Sequence, residues 1–391
     1  MNRIIACILL LGCLLPGQRL SAERIPAAAR AGEASSAVLP LSAPSALLME
    51  KETGTVIFEK DAHTRLFPAS VTKIMTMLLI AEDVDSGRLS LTDTVTASAR
   101  AASFGGSCVF LEEGEQMSVS DMLKCIAVVS ANDCAVAMAE HLAGSEQAFV
   151  KRMNERAREL GLEDTHFTSC SGLFDDGEHY SSAYDIAVIS RELLRHPFIK
   201  DYTAIWLDSI RDGAFELNNT NKLVYWYPGC TGLKTGYTST ALYCLSASAE
   251  REGVEYIAVV LRCESIEKRN QDAKAMLNYA FANYRLCPLR PEEPLPALPV
   301  SMGQRGELAL QVGGERFSLV PKSGGEPEYA LSLPESVTAP VRAGERLGSL
   351  TVTLNGEEIA QLPVTAAEDV PRIGFGGILL KLLGSMVGLE A

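Results

Sequence analysis

Three short motifs, far apart along the chain, restrict what this sequence can fold into more than any other feature: Ser70-Val71-Thr72-Lys73, Ser130-Ala131-Asn132 and Lys234-Thr235-Gly236. Their first residues are 60 positions (70 to 130) and 104 positions (130 to 234) apart. The first motif heads an apolar run that reads as a helix from Val71 to about Glu82, with Pro68 just ahead of it, where a proline does a helix no harm. The second falls inside or at the end of a helical stretch from Ser118 to Leu142, whose apolar face is set by Met122, Leu123 and Ile126. The third lies on a strand. A chain that uses all three together must carry a helix start, a second helix and a strand to one cleft.

The residue types make such convergence chemically sensible. A serine hydroxyl is a weak nucleophile until a neighbour takes its proton. Lys73, three residues beyond Ser70, shares its helix face and contact range. In a closed site beside other cations, a lysine's pKa falls far enough for it to act as that base. The helix N-terminus adds backbone N–H groups facing developing negative charge. Ser130 can pass a proton to a leaving amine and Asn132 can hold an amide. Lys234 adds positive charge near Ser130, and its strand can take an extended peptide along its edge. Singly, each motif is weak. Ser-x-x-Lys arises by chance about once in a chain this long, and alone it reads as a helix cap beside a solvated lysine. Lys-Thr-Gly is rarer, on the order of one per several thousand positions. All three in this order are a strong signal.

Around the motifs the chain reads as α+β. Ala46–Lys51 and Thr55–Lys60 form a hairpin turning at Gly54, helices are expected at 146–160, 183–194 and 267–282, and strands at 232–236, 242–249 and 254–262. Strands at both ends with helices between give an antiparallel sheet with a helical cluster over residues 41–287. Five prolines between Pro288 and Pro299 make a stiff linker (288–299), and short β-type runs between glycine turns make a small all-β domain (300–368). Residues 371–391 carry apolar side chains at Phe375, Ile378, Leu379, Leu382, Leu383 and Met386, the pattern of an amphipathic helix lying on a membrane surface, with a short helix packed on the β domain or a frayed tail as the other readings.

The N-terminal end points to export. Met1-Asn2-Arg3, the apolar run Ile4–Leu15, Pro16-Gly17 and the small residues Ser21-Ala22 lay out a secretory signal peptide (1–22), too short in its apolar part to span a bilayer. Leu10-Leu11-Gly12-Cys13 gives a weaker lipoprotein reading, and an Ala/Ser/Glu-rich spacer (23–40) follows. A formal net charge of −14 argues against nucleic acid, which binds through cations on phosphate. The eight cysteines beyond the signal show no C-x-x-C pair and no zinc-type spacing with histidine, so no metal and no cofactor are expected; several sit in apolar runs such as Cys125-Ile126-Ala127-Val128 and read as buried thiols, with a disulfide as the alternative in an exported protein. His179 and Asp185 are expected to serve structure, as a loop anchor or a helix cap.

The chain resembles the low-molecular-mass penicillin-binding proteins, the D-alanyl-D-alanine carboxypeptidases of the serine peptidase class. Besides the three motifs, the resemblance rests on Phe67-Pro68-Ala69-Ser70-Val71-Thr72-Lys73-Ile74-Met75-Thr76, on Ser171-Gly172-Leu173 with Glu178–Asp185, and on Gly232-Leu233-Lys234-Thr235-Gly236-Tyr237-Thr238. It implies a β-lactamase/DD-peptidase-like catalytic domain followed by a small all-β domain. It further implies removal of the terminal D-alanine from peptidoglycan pentapeptide stems through a Ser70 acyl-enzyme, covalent binding of β-lactam antibiotics, and work at the extracytoplasmic face of the bacterial cell membrane. Position by position, Ser70 is the implied nucleophile and Lys73 its base, with Ser130 and Lys234 relaying the proton. Asn132, Thr235, Gly236, Tyr237 and Thr238 meet the substrate, the N–H groups of Ser70 and Tyr237 form an oxyanion hole, and Arg269 holds the terminal carboxylate, unless it is only a surface cation.

Two departures stand out. Family members usually carry Ala-Gly where this chain has Ala241-Leu242, and an Asn-Pro or similar pair near Cys170-Ser171-Gly172. Two rival readings share these residues. A class A-type β-lactamase shares the motifs but needs a deacylating glutamate, and Glu163–Thr168 lacks the expected E-x-x-L-N pattern. A catalytically silent binding protein has no need of Lys73, Ser130 and Lys234 together. DD-endopeptidase activity is a third reading within the same chemistry.

Overall fold

The computed structural model describes residues 39–379. The expected signal peptide, most of the spacer and residues 380–391 lie outside the described residues.

Ser45–Glu50 (β1) and Val56–Lys60 (β2) form the expected hairpin. Cys230–Thr238 (β3), Leu242–Arg251 (β4) and Val254–Cys263 (β5) complete a five-stranded antiparallel sheet in the order β2-β1-β5-β4-β3. Side chains alternate across a strand, and here both faces are covered. Leu47, Met49, Ile257, Val259 and Leu261 enter the core shared with the helical cluster. Ala46, Leu48, Tyr256, Ala258 and Val260 pack on the opposite side against Ala273, Met276, Leu277 and Ala280. Those last four belong to a long helix, Ile266–Asn283. The two-sided burial explains why these strands read as apolar runs rather than as alternating ones.

The helical cluster holds Lys73–Asp85 (α1), Val119–Val128 (α2), Asn132–Ala143 (α3), Glu146–Glu159 (α4) and Ala183–Leu193 (α5). Ser118, Ser145 and Ser182 cap α2, α4 and α5, each side-chain oxygen accepting from a backbone N–H three residues on. Two expectations need correction. The stretch Ser118–Leu142 is two helices, because Ser130 takes a left-handed φ of 66° and Asn132 N–H turns away to Ser107 O at 2.7 Å. The helix expected from Val71 begins instead as a 3₁₀ turn, Ala69–Thr72, with α1 starting at Lys73.

Beyond the sheet, Tyr284–Pro288 pairs with Phe317–Pro321, so the chain leaves the catalytic domain already joined to the β region. Leu289 is buried with Leu350, Val352, Leu362 and Val364 of that region, which ties down the first residues of the proline-rich stretch rather than leaving them as free spacer. Pro327–Ser332, Arg346–Leu354, Glu357–Ala366 and Leu310–Val312 make its antiparallel sheet. The architecture is thus an α+β domain followed by a small all-β domain. Among the described residues, no helix is long and apolar enough to cross a membrane.

Candidate active site

The Ser70–Lys73 motif sits on a tight turn. Ala69 has a φ of 50°, and the 3₁₀ turn that follows completes three residues per turn, which sets position 73 directly over position 70. Lys73 Nζ lies 2.9 Å from Ser70 Oγ. It also donates to Asn132 Oδ1 at 2.6 Å and to the Ser171 carbonyl at 2.8 Å. Lys73 is fully buried and all three acceptors are neutral, so desolvation pushes its pKa from 10.5 to about 7. A lysine tuned to that range can accept a proton at neutral pH.

Several contacts fix this turn. Asn132, the first residue of α3, sends its Nδ2 to Gly105 O at 2.8 Å while its Oδ1 holds Lys73. Thr76 Oγ1 binds Cys170 O at 2.6 Å, which pins the segment bearing Ser171 onto α1. Gly172 has a φ of +66°, and a Cβ there would meet Ala69 O at 2.1 Å, so the loop crosses the Ser70 turn at a distance only glycine permits. His179 is buried, with Nε2 2.8 Å from Thr72 Oγ1 and Nδ1 accepting from Thr168 N–H at 3.1 Å. Asp185 accepts from Asp164 N–H and Thr165 Oγ1. Both hold the loop in place.

Across the cleft runs β3. Lys234 is buried, donates from Nζ to Thr235 O at 3.0 Å, and has its pKa held well below the ordinary lysine value by burial and then by the cations of Lys73 and Arg269. Thr235 Oγ1 donates to Thr220 Oγ1 at 2.8 Å. Gly236 permits close approach, since a Cβ there would meet Pro68 O at 2.7 Å. Tyr237 is exposed and stacks on Tyr243, ring centroids 4.5 Å apart. Ser130 is buried at the junction of α2 and α3, and its Oγ has no hydrogen-bond partner. Such a hydroxyl is costly unless something else satisfies it.

These groups edge one cleft of about 590 Å³, lined by Ser70, Ser130, Thr235, Gly236, Tyr237 and Arg269 together with Thr220, Lys222 and Tyr243. Lys73, Asn132 and Lys234 stand behind this lining. Arg269 is largely buried, with Nε 3.2 Å from Asn270 Oδ1, and is no loose surface cation. Thr238 is not in the lining: its Oγ1 accepts the Ala241 N–H at 3.0 Å and shapes the β3–β4 turn. Among the described residues, none that line the cleft is acidic, so a chain of net charge −14 presents a cationic site. Sequence reasoning missed Thr220, Lys222 and the Ser171 carbonyl. The polar run Asn218-Asn219-Thr220-Asn221-Lys222 was the available signal, and it reads as an ordinary surface turn.

Residues 31–265 match the family described as D-alanyl-D-alanine carboxypeptidase. The chain belongs to that family. It is an enzyme of this type, and residues 297–372 match the C-terminal domain described for penicillin-binding protein 5. D-alanyl-D-alanine carboxypeptidase DacF of Bacillus subtilis is 43% identical over 88% of this chain and 89% of its own. The crystal structure of penicillin-binding protein 5 from Haemophilus influenzae superposes with a TM-score of 0.74 at 29% identity, covering 85% of this chain and 98% of that one. Penicillin-binding protein D2 from Listeria monocytogenes in its ampicillin-bound form gives a TM-score of 0.57 at 32% identity over 62% of this chain and 99% of that one. All eight described cysteines of this family member are free thiols, six of them buried.

Proposed function

We propose that Ser70 attacks the carbonyl between the last two D-alanines of a peptidoglycan stem and is acylated by it. Lys73, as the neutral amine, takes the hydroxyl proton as the Oγ–carbon bond forms. The developing oxyanion accepts hydrogen bonds from the N–H groups of Ser70 and Tyr237. On collapse the C–N bond breaks, the leaving D-alanine amine takes the Ser130 proton, and Ser130 recovers one from Lys73. Lys234 stabilises that exchange, and water then hydrolyses the ester to free Ser70. Asn132 and Thr235 position the stem, and Arg269 with Thr235 receives its terminal carboxylate, a task suited to a guanidinium fork.

The observation that carries this reading is the 2.9 Å contact of a buried lysine, shifted to about 7, with the Ser70 hydroxyl. A β-lactam ring acylates Ser70 in the same way, but its amine stays tethered and blocks water. The lack of an acidic side chain in the described cleft lining favours a long-lived adduct over β-lactamase turnover. The enzyme then works on the wall side of the membrane, exported by residues 1–22 and held at the surface by residues 371–391. Incubation with a fluorescent penicillin, followed by peptide mapping, tests this directly: the label belongs on Ser70, and Ser70→Ala abolishes both labelling and D-alanine release from a diacyl-D-Ala-D-Ala peptide. Release that survives in Ser70→Ala rules the mechanism out.

A further inference from the structure

One surface feature is not used by the chemistry above. Trp206, Tyr225 and Trp226 cluster beside the cleft, with centroids 5.1 Å apart for Trp206–Tyr225 and 4.6 Å for Tyr225–Trp226. They include both tryptophans of the chain. Trp226 is 68% exposed and Tyr225 57%, an unusual setting for rings that normally bury most of their surface. Grouped exposure of this kind marks a contact surface rather than scattered apolar residues.

The backbone that carries the rings is held in place. On the short helix Leu223–Trp226, Leu223 faces the core, and the adjoining Tyr227 is buried with its hydroxyl bonded to Asn278 Oδ1 at 2.9 Å, so Tyr225 and Trp226 are left outside. Trp206 is fixed through its carbonyl, which accepts the Asn219 N–H at 3.0 Å, and Asn219 Nδ2 donates to Ile205 O at 2.7 Å. Lys222 joins the cluster to the active site: its Nζ lies 4.7 Å from the Trp206 ring centroid, and the residue also lines the cleft. Asn218, beside it in the cleft wall, accepts from Lys222 Nζ at 3.2 Å.

We propose that Trp206, Tyr225 and Trp226 form a saccharide platform that seats the glycan strand carrying the stem peptide. This rests on the function proposed above. A sugar ring offers apolar C–H faces to aromatic rings and hydroxyls or N-acetyl amides at its edges, and here an ammonium (Lys222) lies over the Trp206 ring with an amide (Asn218) bonded to it, beside the exposed Tyr225 and Trp226. Continuity with the cleft supplies the rest of the argument, because a stem entering the site brings its sugars to the cleft rim. A bilayer is the less favoured occupant, since the patch adjoins the cleft through Lys222 and Asn218, where a bound stem leaves its sugars.

Because both tryptophans belong to the cluster, their fluorescence reports on it independently of catalysis. Peptide-free glycan strands, released from purified wall by an amidase, are titrated into the wild-type enzyme, Trp226→Ala and Tyr225→Ala. The proposal expects a saturable tryptophan shift in the wild type and binding weakened about tenfold in each variant, the loss of one well-placed aromatic contact. It also expects kcat/KM to fall by a similar factor on glycan-linked stems but not on a free diacyl-D-Ala-D-Ala peptide. No shift in the wild type, or equal losses on both substrates, overturns the platform. So does a shift produced only by phosphatidylglycerol vesicles. Failure of the wild type to release D-alanine from the free peptide instead defeats the underlying function, and the two outcomes are read separately.

Discussion

Lys73 Nζ lies 2.9 Å from Ser70 Oγ, and its two other acceptors, Asn132 Oδ1 at 2.6 Å and the Ser171 carbonyl at 2.8 Å, carry no charge. Three hydrogen bonds satisfy the ammonium geometrically without neutralising it, and burial therefore sets its titration near 7. In the proposed mechanism the neutral amine accepts the Ser70 proton, and that form is lost as pH falls through this value. The second-order rate of Ser70 acylation by a fluorescent penicillin is expected to rise from about pH 5 and level off above about pH 8. Asn132→Asp places a carboxylate where the amide oxygen stands. That favours the ammonium, moves the acidic limb upward by about one to three units and lowers the rate at neutral pH. A profile flat across this range removes Lys73 as the base.

Ser130 offers a separation of stability from activity. Its Oγ is buried with no partner, so the folded enzyme gains nothing from the hydroxyl before substrate arrives. Ser130→Ala is expected to leave thermal stability unchanged to within about 1 kcal/mol. It should cut acylation on the order of a hundredfold or more, the size of effect expected for a missing proton donor. A variant that loses stability but keeps its acylation rate assigns the hydroxyl to structure instead.

The Thr72–His179 contact carries a pH dependence of its own. Burial lowers the His179 pKa from 6.5 to about 4, and Nδ1, already accepting the Thr168 N–H, has no room for a proton. Between those two pH values the unfolded chain binds a proton that the folded one refuses, so stability falls as pH drops through this window and the penalty is constant below it. The full effect is about 3 kcal/mol at 1.36 kcal/mol per unit. Denaturant melts of wild type and His179→Gln across this window isolate it from the carboxylates: the difference between the two should shrink toward acid pH. A difference independent of pH refutes the buried neutral imidazole.

The sequence revealed the sheet and the motif residues because each had a local signature. The hairpin at Gly54, the three apolar strands and the Ser70–Lys73 spacing are properties of short windows. The break at Ser130 is not. Ala131 and Asn132 are compatible with a continuing helix, and what ends α2 is the long-range bond from Asn132 N–H to Ser107 O together with the Asn132–Lys73 contact. Thr220 stayed hidden for a similar reason, since its bond to Thr235 joins a polar turn to a strand fifteen residues away. Ser171 acts through a backbone carbonyl, for which no residue type is diagnostic.

Leu242 shows what the departure from Ala-Gly does to the fold. It begins β4 opposite Thr238 and has a φ of 56°, a conformation that glycine adopts freely and that costs a side-chain-bearing residue about 1 kcal/mol or more. The leucine is half-buried, so some packing offsets the strain, and the turn is held by the Ala241 N–H to Thr238 Oγ1 bond. Leu242→Gly relieves the strain but loses contacts and loosens the unfolded chain, and these effects nearly cancel, leaving stability within about 1 kcal/mol of wild type. Leu242→Ile keeps the bulk and adds a β-branch in a left-handed conformation, which should cost about 1–2 kcal/mol more. Because the turn sits at the end of the strand bearing Lys234 and Tyr237, penicillin acylation should follow the same order, preserved in the glycine variant and slowed in the isoleucine one. Thermal melts and acylation rates of the pair decide it. A glycine variant destabilised more than the isoleucine variant means that leucine packing, rather than backbone strain, governs this corner of the active site.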